Sequence, residues 1–413
     1  MKYTFLLFFG LTSFVSLAQI PLKFNFGTSE IKGFEKIELK KNYTPESPYG
    51  FIKGTNNHFF TLDLPEGNYD VTMYLGSKKE ANETTIKVEN RRLVLEKIQT
   101  PQGEVIKKTF TVNLRNAKIN DTKSVKLKPR ELTYLHWDNQ LTFEFCGKNP
   151  AVECIEIKPN KQAITVFLAG NSTVVDQVQE PFSAWGQMIP KFFEPYKIAI
   201  ANHAESGESL KSFVSENRLE KVFSLMKKGD YLFIEFAHND QKIKDFRPFI
   251  EYKNLLKEYI TKTREKGGIA VLVTSMHRRN FDSAGQIINT LGDFPEAMRQ
   301  TAQDEKTPLS DLNAVSKILW ESMGVELSKK AFVHVPAGMY PNQEKAITDD
   351  THFSNYGAYQ LAKCIVEEMR KIQLSIAKYL QPNSMFDPHH PDDLQSWNFP
   401  ESPILSVLKP DGN

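Results

Sequence analysis

Ile164-Thr165-Val166-Phe167-Leu168-Ala169-Gly170-Asn171-Ser172-Thr173 reads as a strand apolar on both faces that halts in a small polar turn. Strands of that texture belong to parallel sheets covered by helices on either side. The texture recurs in KIAIAN (197–202), YLFIEFA (231–237) and GIAVLVTSM (268–276), with helical stretches such as PFIEYKNLLKEYITKTREKG (248–267) between them. Such alternation predicts βαβ units and an α/β domain over 161–381, a parallel sheet flanked by helices. In an open parallel sheet, ligands bind beyond the C-terminal ends of the strands. The residues that follow each run are therefore the ones to weigh.

Upstream the pattern differs. Short alternating segments, among them FNFG (24–27), HFFTLDL (58–64), YDVTMYLG (69–76), TTIKVE (84–89), KTFTVNL (108–114) and LTFEF (141–145), are parted by turn signals such as Pro65-Glu66-Gly67-Asn68. That predicts an all-β sandwich over 19–160, with the boundary near Lys158-Pro159-Asn160. The first residues, MKYTFLLFFGLTSFVSLAQ, have a lysine, a short apolar run broken by Gly10, Thr12 and Ser13, and small residues at Ser16 and Ala18. They read as a signal peptide over 1–18, cut before Gln19, and predict an exported protein, periplasmic or extracellular, without a stable membrane anchor. Residues 382–413, rich in Pro and Asp, read as an extended tail.

A net charge of +2 over 413 residues, with no basic block or stripe, argues against a nucleic-acid partner. Three cysteines make neither a disulfide framework nor a zinc site. Cys146 and Cys154 could pair across neighbouring strands, and Cys364 in LAKCIVEEM reads as a buried helix residue. No metal or other cofactor is expected; His389-His390 in FDPHHPDD lacks the convergent ligands that a metal site requires.

The chemistry is concentrated after the apolar runs. Ser172 follows the first, Gly207 lies in the loop HAESGESLKSF after the second, Asn239 follows the third, and Asp349-Asp350-Thr351-His352 precedes a helix starting near Asn355. Each alone is an ordinary turn or cap. Together they supply what acyl transfer needs. A serine hydroxyl becomes nucleophilic when imidazole takes its proton, and a carboxylate on the other ring nitrogen fixes the tautomer. The oxyanion requires donors aimed at it beforehand, here the N–H groups of Ser172 and Gly207 and the Asn239 amide. Asp350 competes with Asp349 as the acid. His203 and His238 flank the oxyanion elements and read as structural or cleft-lining residues.

Here the chain resembles a known group. Gly170-Asn171-Ser172-Thr173, Gly207, Asn239 and Asp349-x-x-His352 match, in order, the four blocks of the SGNH (GDSL-type) hydrolases. AGNSTVVDQ (169–177), ANHAESGESLKSF (201–213), FAHNDQ (236–241) and DDTHFSNYGAYQLA (349–362) resemble the rhamnogalacturonan acetylesterase branch. The resemblance covers roughly 161–380. It implies a flavodoxin-like three-layer α/β/α fold and a metal-independent serine esterase that deacetylates pectin-type rhamnogalacturonan, with Ser172, His352 and Asp349 catalytic. It favours Asp349 over Asp350 by the three-residue spacing. There are two departures: Asn171 stands where many members have aspartate, and Ala237 where the family usually has glycine.

Other readings stay open. The same fold serves lysophospholipases and lipases, and esterases of acetylated xylan or peptidoglycan; a catalytically idle carbohydrate-binding protein is the reading from another class. Arg278 or Arg279, after the fourth run, could meet the carboxylates of an acidic polysaccharide, or could form ordinary ion pairs. Trp185 could line the cleft as a sugar platform or belong to the core. The β region resembles galactose-binding-like jelly rolls by pattern, and either binds carbohydrate or braces the catalytic region.

Overall fold

The computed structural model describes residues 22–341 and 343–403. The expected signal peptide and the end of the tail lie outside them. The N-terminal region forms two five-stranded sheets. One runs, in spatial order, Glu35–Lys36, Lys23–Asn25, Val152–Pro159, Gly67–Leu75, Ile106–Leu114; the other runs Tyr49–Phe51, Phe59–Asp63, Gln140–Cys146, Asn82–Val88, Arg92–Thr100. All neighbours are antiparallel except the first pair. Alternation along Gly67–Leu75 turns Tyr69, Val71, Met73 and Leu75 inward. There they meet Phe60, Ile86, Leu141 and Phe143 from the other sheet in one apolar core.

Cys146 and Cys154 lie on strands of different sheets and are free, buried thiols. The pairing considered from sequence presumed adjacent strands, but consecutive strands here go to opposite sheets. Cys364 is buried in a helix, as expected.

The second region holds a five-stranded parallel sheet: β1 (Ile164–Gly170), β2 (Ile198–Asn202), β3 (Tyr231–Glu235), β4 (Ile269–Val273) and β5 (Leu309–Ser310), in the order β2-β1-β3-β4-β5. Its continuous apolar runs follow from cover on both faces. Val166 and Leu168 of β1 pack into one cluster, Phe167 and Ala169 into the other. The first cluster includes helices α1 (Trp185–Met188), α6 (Leu312–Leu327) and α7 (Asn355–Lys371). The second includes α2 (Leu210–Ser215), α3 (Arg218–Leu225), α4 (Lys253–Glu265) and α5 (Phe294–Asp304). A two-stranded ribbon, Phe332–Val335 against Ile347–Phe353, delivers Asp349 and His352 just ahead of α7, whose first turn is capped by the Ser354 hydroxyl.

The two regions are joined by buried charge. At the tip of the hairpin between Asn82–Val88 and Arg92–Thr100, Arg91 pairs with Glu180 at 2.5 Å and Arg92 with Asp176 at 2.9 Å. The tail runs over α7 through Tyr356–Trp397 ring contact and reaches the β region, where Lys87 Nζ donates to the Pro400 carbonyl.

Candidate active site

Strand β1 ends where no side chain fits. A Cβ on Gly170 would stand 2.4 Å from Val174 Cγ2 and 3.2 Å from the Glu235 carbonyl. The chain then turns on Asn171, whose Oδ1 accepts from the Thr173 N–H at 3.0 Å and the Thr173 hydroxyl at 2.8 Å, while its carbonyl accepts from Val174 and Val175. Gln177 Nε2 donates to the Ser172 carbonyl at 2.8 Å. The resulting short turn presents Ser172 at the C-terminal edge of the sheet. Asn171, the first departure from the family pattern, holds this turn through its side-chain oxygen and its carbonyl.

Ser172 Oγ lies 2.9 Å from His352 Nε2, and His352 Nδ1 lies 2.9 Å from Asp349 Oδ2. The other Asp349 oxygen accepts the backbone N–H groups of Thr351 and His352. Burial works to raise the Asp349 carboxyl, but the hydrogen bond and charge of His352, with those two N–H groups, hold it well below the usual carboxylate range. Asp350 points away, to Arg279 and His334. The Phe182 ring meets the His352 ring edge-on at 5.9 Å.

Gly207 takes φ +84° in the loop after β2, a conformation that suits glycine. Asn239 Nδ2 donates to the carbonyl of Glu208 at 2.9 Å, which ties the loop after β3 to the Gly207 loop. Among the described residues, neither the Ser172 nor the Gly207 N–H donates to another protein group. Ala237, the second departure, is buried in the apolar cluster on the α2–α5 side of the sheet. It leaves the Asn239 contact intact.

Beneath the serine turn sits a carboxyl that sequence reading passed over. Glu235, fully buried at the end of β3, accepts from Trp185 Nε1 at 2.8 Å, Ser275 Oγ at 2.9 Å and Thr173 Oγ1 at 3.1 Å. Its signal was present as the one charge inside YLFIEFA. Burial pushes it up to about 7, against those three bonds. A carboxyl raised above its ordinary value of 4.5 gives stability that is full below that value and lost as pH rises through about 7. Glu235→Gln is therefore expected to narrow the drop in Tm between pH 5 and pH 8. An unchanged drop in the variant would refute this.

Trp185 belongs to the core, fully buried with its indole N–H on Glu235, so the cleft-platform alternative is corrected. A tryptophan at a helix start is more often a core residue, and that is the role it has here. Arg279 is tied to Asp350, Ser328 and the Val325 carbonyl, an ion-pair role. Arg278 stands nearer the site: it bonds Thr351 Oγ1 and Thr290 Oγ1, feels the charge of Asp349, and its own charge is felt at His238. His238 and His203 are buried, and burial together with nearby cations holds both well below the usual histidine range. His390 pairs with Asp387 on the surface.

Sequence reading also missed a buried trio, Glu131, His136 and Glu205, whose ligand atoms lie within 4.8 Å of one another, a spacing that could hold a metal ion. The donor set fits poorly. Glu131 is held by a two-pronged Arg218 contact and Glu205 by Arg130. Those guanidinium groups already neutralise the carboxylates that a cation would need.

A doubly wound parallel sheet, with serine, histidine and carboxylate linked at its C-terminal edge, is the arrangement of the SGNH class of hydrolases. No family model matches the chain. It is 40% identical over 222 residues to the rhamnogalacturonan acetylesterase RhgT of Bacillus subtilis strain 168, covering 53% of this chain and 95% of that protein. It is 32% identical over 220 residues to the probable rhamnogalacturonan acetylesterase YesY of the same organism, covering 52% of this chain and 95% of that one. The uncharacterized esterase YxiM, also from that organism, is 22% identical over 379 residues, 84% of this chain and 90% of its own. The chain belongs to the rhamnogalacturonan acetylesterase family of SGNH hydrolases and is an esterase.

Proposed function

We propose that the protein is an exported carbohydrate O-acetylesterase that removes acetyl groups from pectin-type rhamnogalacturonan. Its working unit over 161–381 would be preceded by a jelly-roll-like β region over 19–160 and followed by the tail. The observation that carries the reading is the hydrogen-bonded relay Ser172–His352–Asp349 at the sheet edge. Ser172 Oγ attacks the acetyl carbonyl carbon while its proton passes to His352 Nε2. The Ser172 and Gly207 N–H groups and the Asn239 amide receive the oxyanion. The C–O bond to the sugar then breaks, and His352 returns the proton to the sugar oxygen. Water attacks the acetyl-serine, gives its proton to His352, and acetate leaves as Ser172 regains its hydrogen.

The names of RhgT and YesY support the substrate. The setting of the relay favours a polar ligand: the buried His238 feels the charges of Arg278 and His352, and Arg278 feels that of Asp349. Arg278, half-buried beside the relay, would meet a uronate carboxylate, a pairing that a guanidinium makes through two bonds. Among the described residues no helix is long and apolar enough to cross a membrane. The test is acetate release across acetylated pectin, xylan and peptidoglycan, with p-nitrophenyl esters of short and long acids alongside. Fastest release from pectin and little turnover of long-chain esters is expected. Preference for long acyl chains would replace this reading with a lipase, and preference for xylan or peptidoglycan would move the substrate.

A further inference from the structure

The loop that carries Gly207 is gripped by two cations from the other region of the chain. Lys128 Nζ donates to the Ser206 carbonyl at 2.6 Å, and Arg130 Nη2 donates to the same oxygen at 2.9 Å. Each also pairs with a neighbouring loop carboxylate, Lys128 with Glu208 at 2.6 Å and Arg130 with Glu205 at 2.8 Å. Lys128 caps the short 3-10 turn Pro129–Thr133 and Arg130 lies within it, and the turn is itself anchored. Glu131 accepts the Lys128 N–H at 2.7 Å and is held by both Nη atoms of the buried Arg218 in α3. The segment before it is pinned by the Lys126 N–H on the Glu216 carbonyl.

The carbonyl of Ser206 and the N–H of Gly207 belong to one peptide unit. A trans peptide is planar, with its oxygen and hydrogen on opposite sides, so holding the oxygen fixes where the hydrogen points. Gly207 has no side chain to resist a flip of that peptide, and at φ +84° it sits where glycine moves freely. Charged donors on a carbonyl also draw electron density from its amide and strengthen the N–H as a donor. We propose that Lys128 and Arg130 are positioning residues of the oxyanion site, which fix and polarise the Ser206–Gly207 peptide from the β region. On this view the β region is part of the catalytic apparatus. The inference rests on the proposed roles of Ser172 and Gly207.

The experiment uses the full chain and compares Lys128→Met, Arg130→Met, the double variant, and the charge-keeping Arg130→Lys and Lys128→Arg. For each, kcat and KM on p-nitrophenyl acetate are measured beside Tm. Deleting an oxyanion donor costs ~10²–10³ in kcat, so loosening one is expected to cost about tenfold per methionine and about a hundredfold for both. KM should stay within about twofold, since the contact matters when charge develops in the transition state. The charge-keeping variants should recover most of kcat. A double variant that is folded and has wild-type kcat overturns the proposal, as does an equal loss in Arg130→Lys and Arg130→Met. If the methionine variants do not fold, Arg130→Gln, which keeps a neutral donor, decides: an intermediate kcat supports the proposal and wild-type kcat overturns it. Ser172→Ala, run alongside, separates the two levels. Full activity there would remove the underlying reading, whereas an inactive Ser172→Ala with unaffected cation variants removes this inference alone.

Discussion

Replacing Ser172 with alanine is expected to lower kcat on p-nitrophenyl acetate by on the order of 10⁴–10⁶, with little change in Tm. The substitution removes one oxygen from a buried side chain whose bond is to His352 Nε2. The turn that presents it is held by Asn171, Thr173 and Gln177, none of which touches the hydroxyl. Stability should therefore barely move while the nucleophile disappears. Asp349→Asn is expected to cost on the order of 10⁴, because the amide can offer its N–H to Nδ1 and turn the imidazole into the wrong tautomer. The relay acts as a unit, so Ser172→Ala/Asp349→Asn should be no worse than Ser172→Ala alone. Wild-type turnover in Ser172→Ala would sink the assignment, and a multiplicative loss in the double variant would show that the two side chains act separately.

What made the site legible in sequence was the coincidence of two local signals. Strands buried on both faces write themselves as apolar runs, and Ser172, Gly207 and Asn239 each come after such a run at the sheet edge. Asp349 and His352 are three apart in one segment, so their partnership is local and survives translation into one dimension. The same locality explains what was missed. Glu235 meets Thr173, Trp185 and Ser275 only because β1, α1 and the end of β4 converge over it. Lys128 and Arg130 sit in an unremarked stretch, KLKPRELTY (126–134), and acquire meaning from a loop 75–78 positions away. The pairing left open for Cys146 and Cys154 shows the same limit from the other side: the two are eight positions apart, yet their strands belong to different sheets and both thiols are free. Trp185 was ambiguous for a reason of chemistry: an indole offers both a flat apolar face and a donor, and either a sugar or a buried carboxyl can use them.

Arg91→Met is expected to destabilise the fold by about 3–5 kcal/mol, the usual cost of removing one partner of a buried ion pair. Arg91 is 3% exposed and φ +57° at its hairpin tip, and it does more than face Glu180. It donates to the carbonyls of Phe182 at 2.8 Å and Gln177 at 3.2 Å and to Asn355 Oδ1 at 3.1 Å. Methionine fills much of the volume but supplies none of these bonds. Glu180, fully buried, has its carboxyl pushed up by burial and brought below its ordinary value by Arg91 first and Lys87 second. Lys87 stands 3.9 Å away, too far to take over as a hydrogen-bond donor. Without Arg91 the burial effect dominates, and Glu180 should take up a proton in the folded state above its ordinary value of 4.5. The sign of the linkage then follows: a raised carboxyl stabilises the fold below that value and loses this contribution as pH rises, so the deficit of the variant should shrink as pH falls toward 5. Arg91→Met/Glu180→Gln removes the stranded charge and should recover part of the loss. Urea unfolding at pH 5 and pH 8 measures all of this; a deficit under about 1 kcal/mol at both would show the contact to be dispensable. Activity should fall as well. Phe182 edges the His352 ring and Gln177 holds the Ser172 carbonyl, so freeing their carbonyls loosens the nucleophile and its base at once.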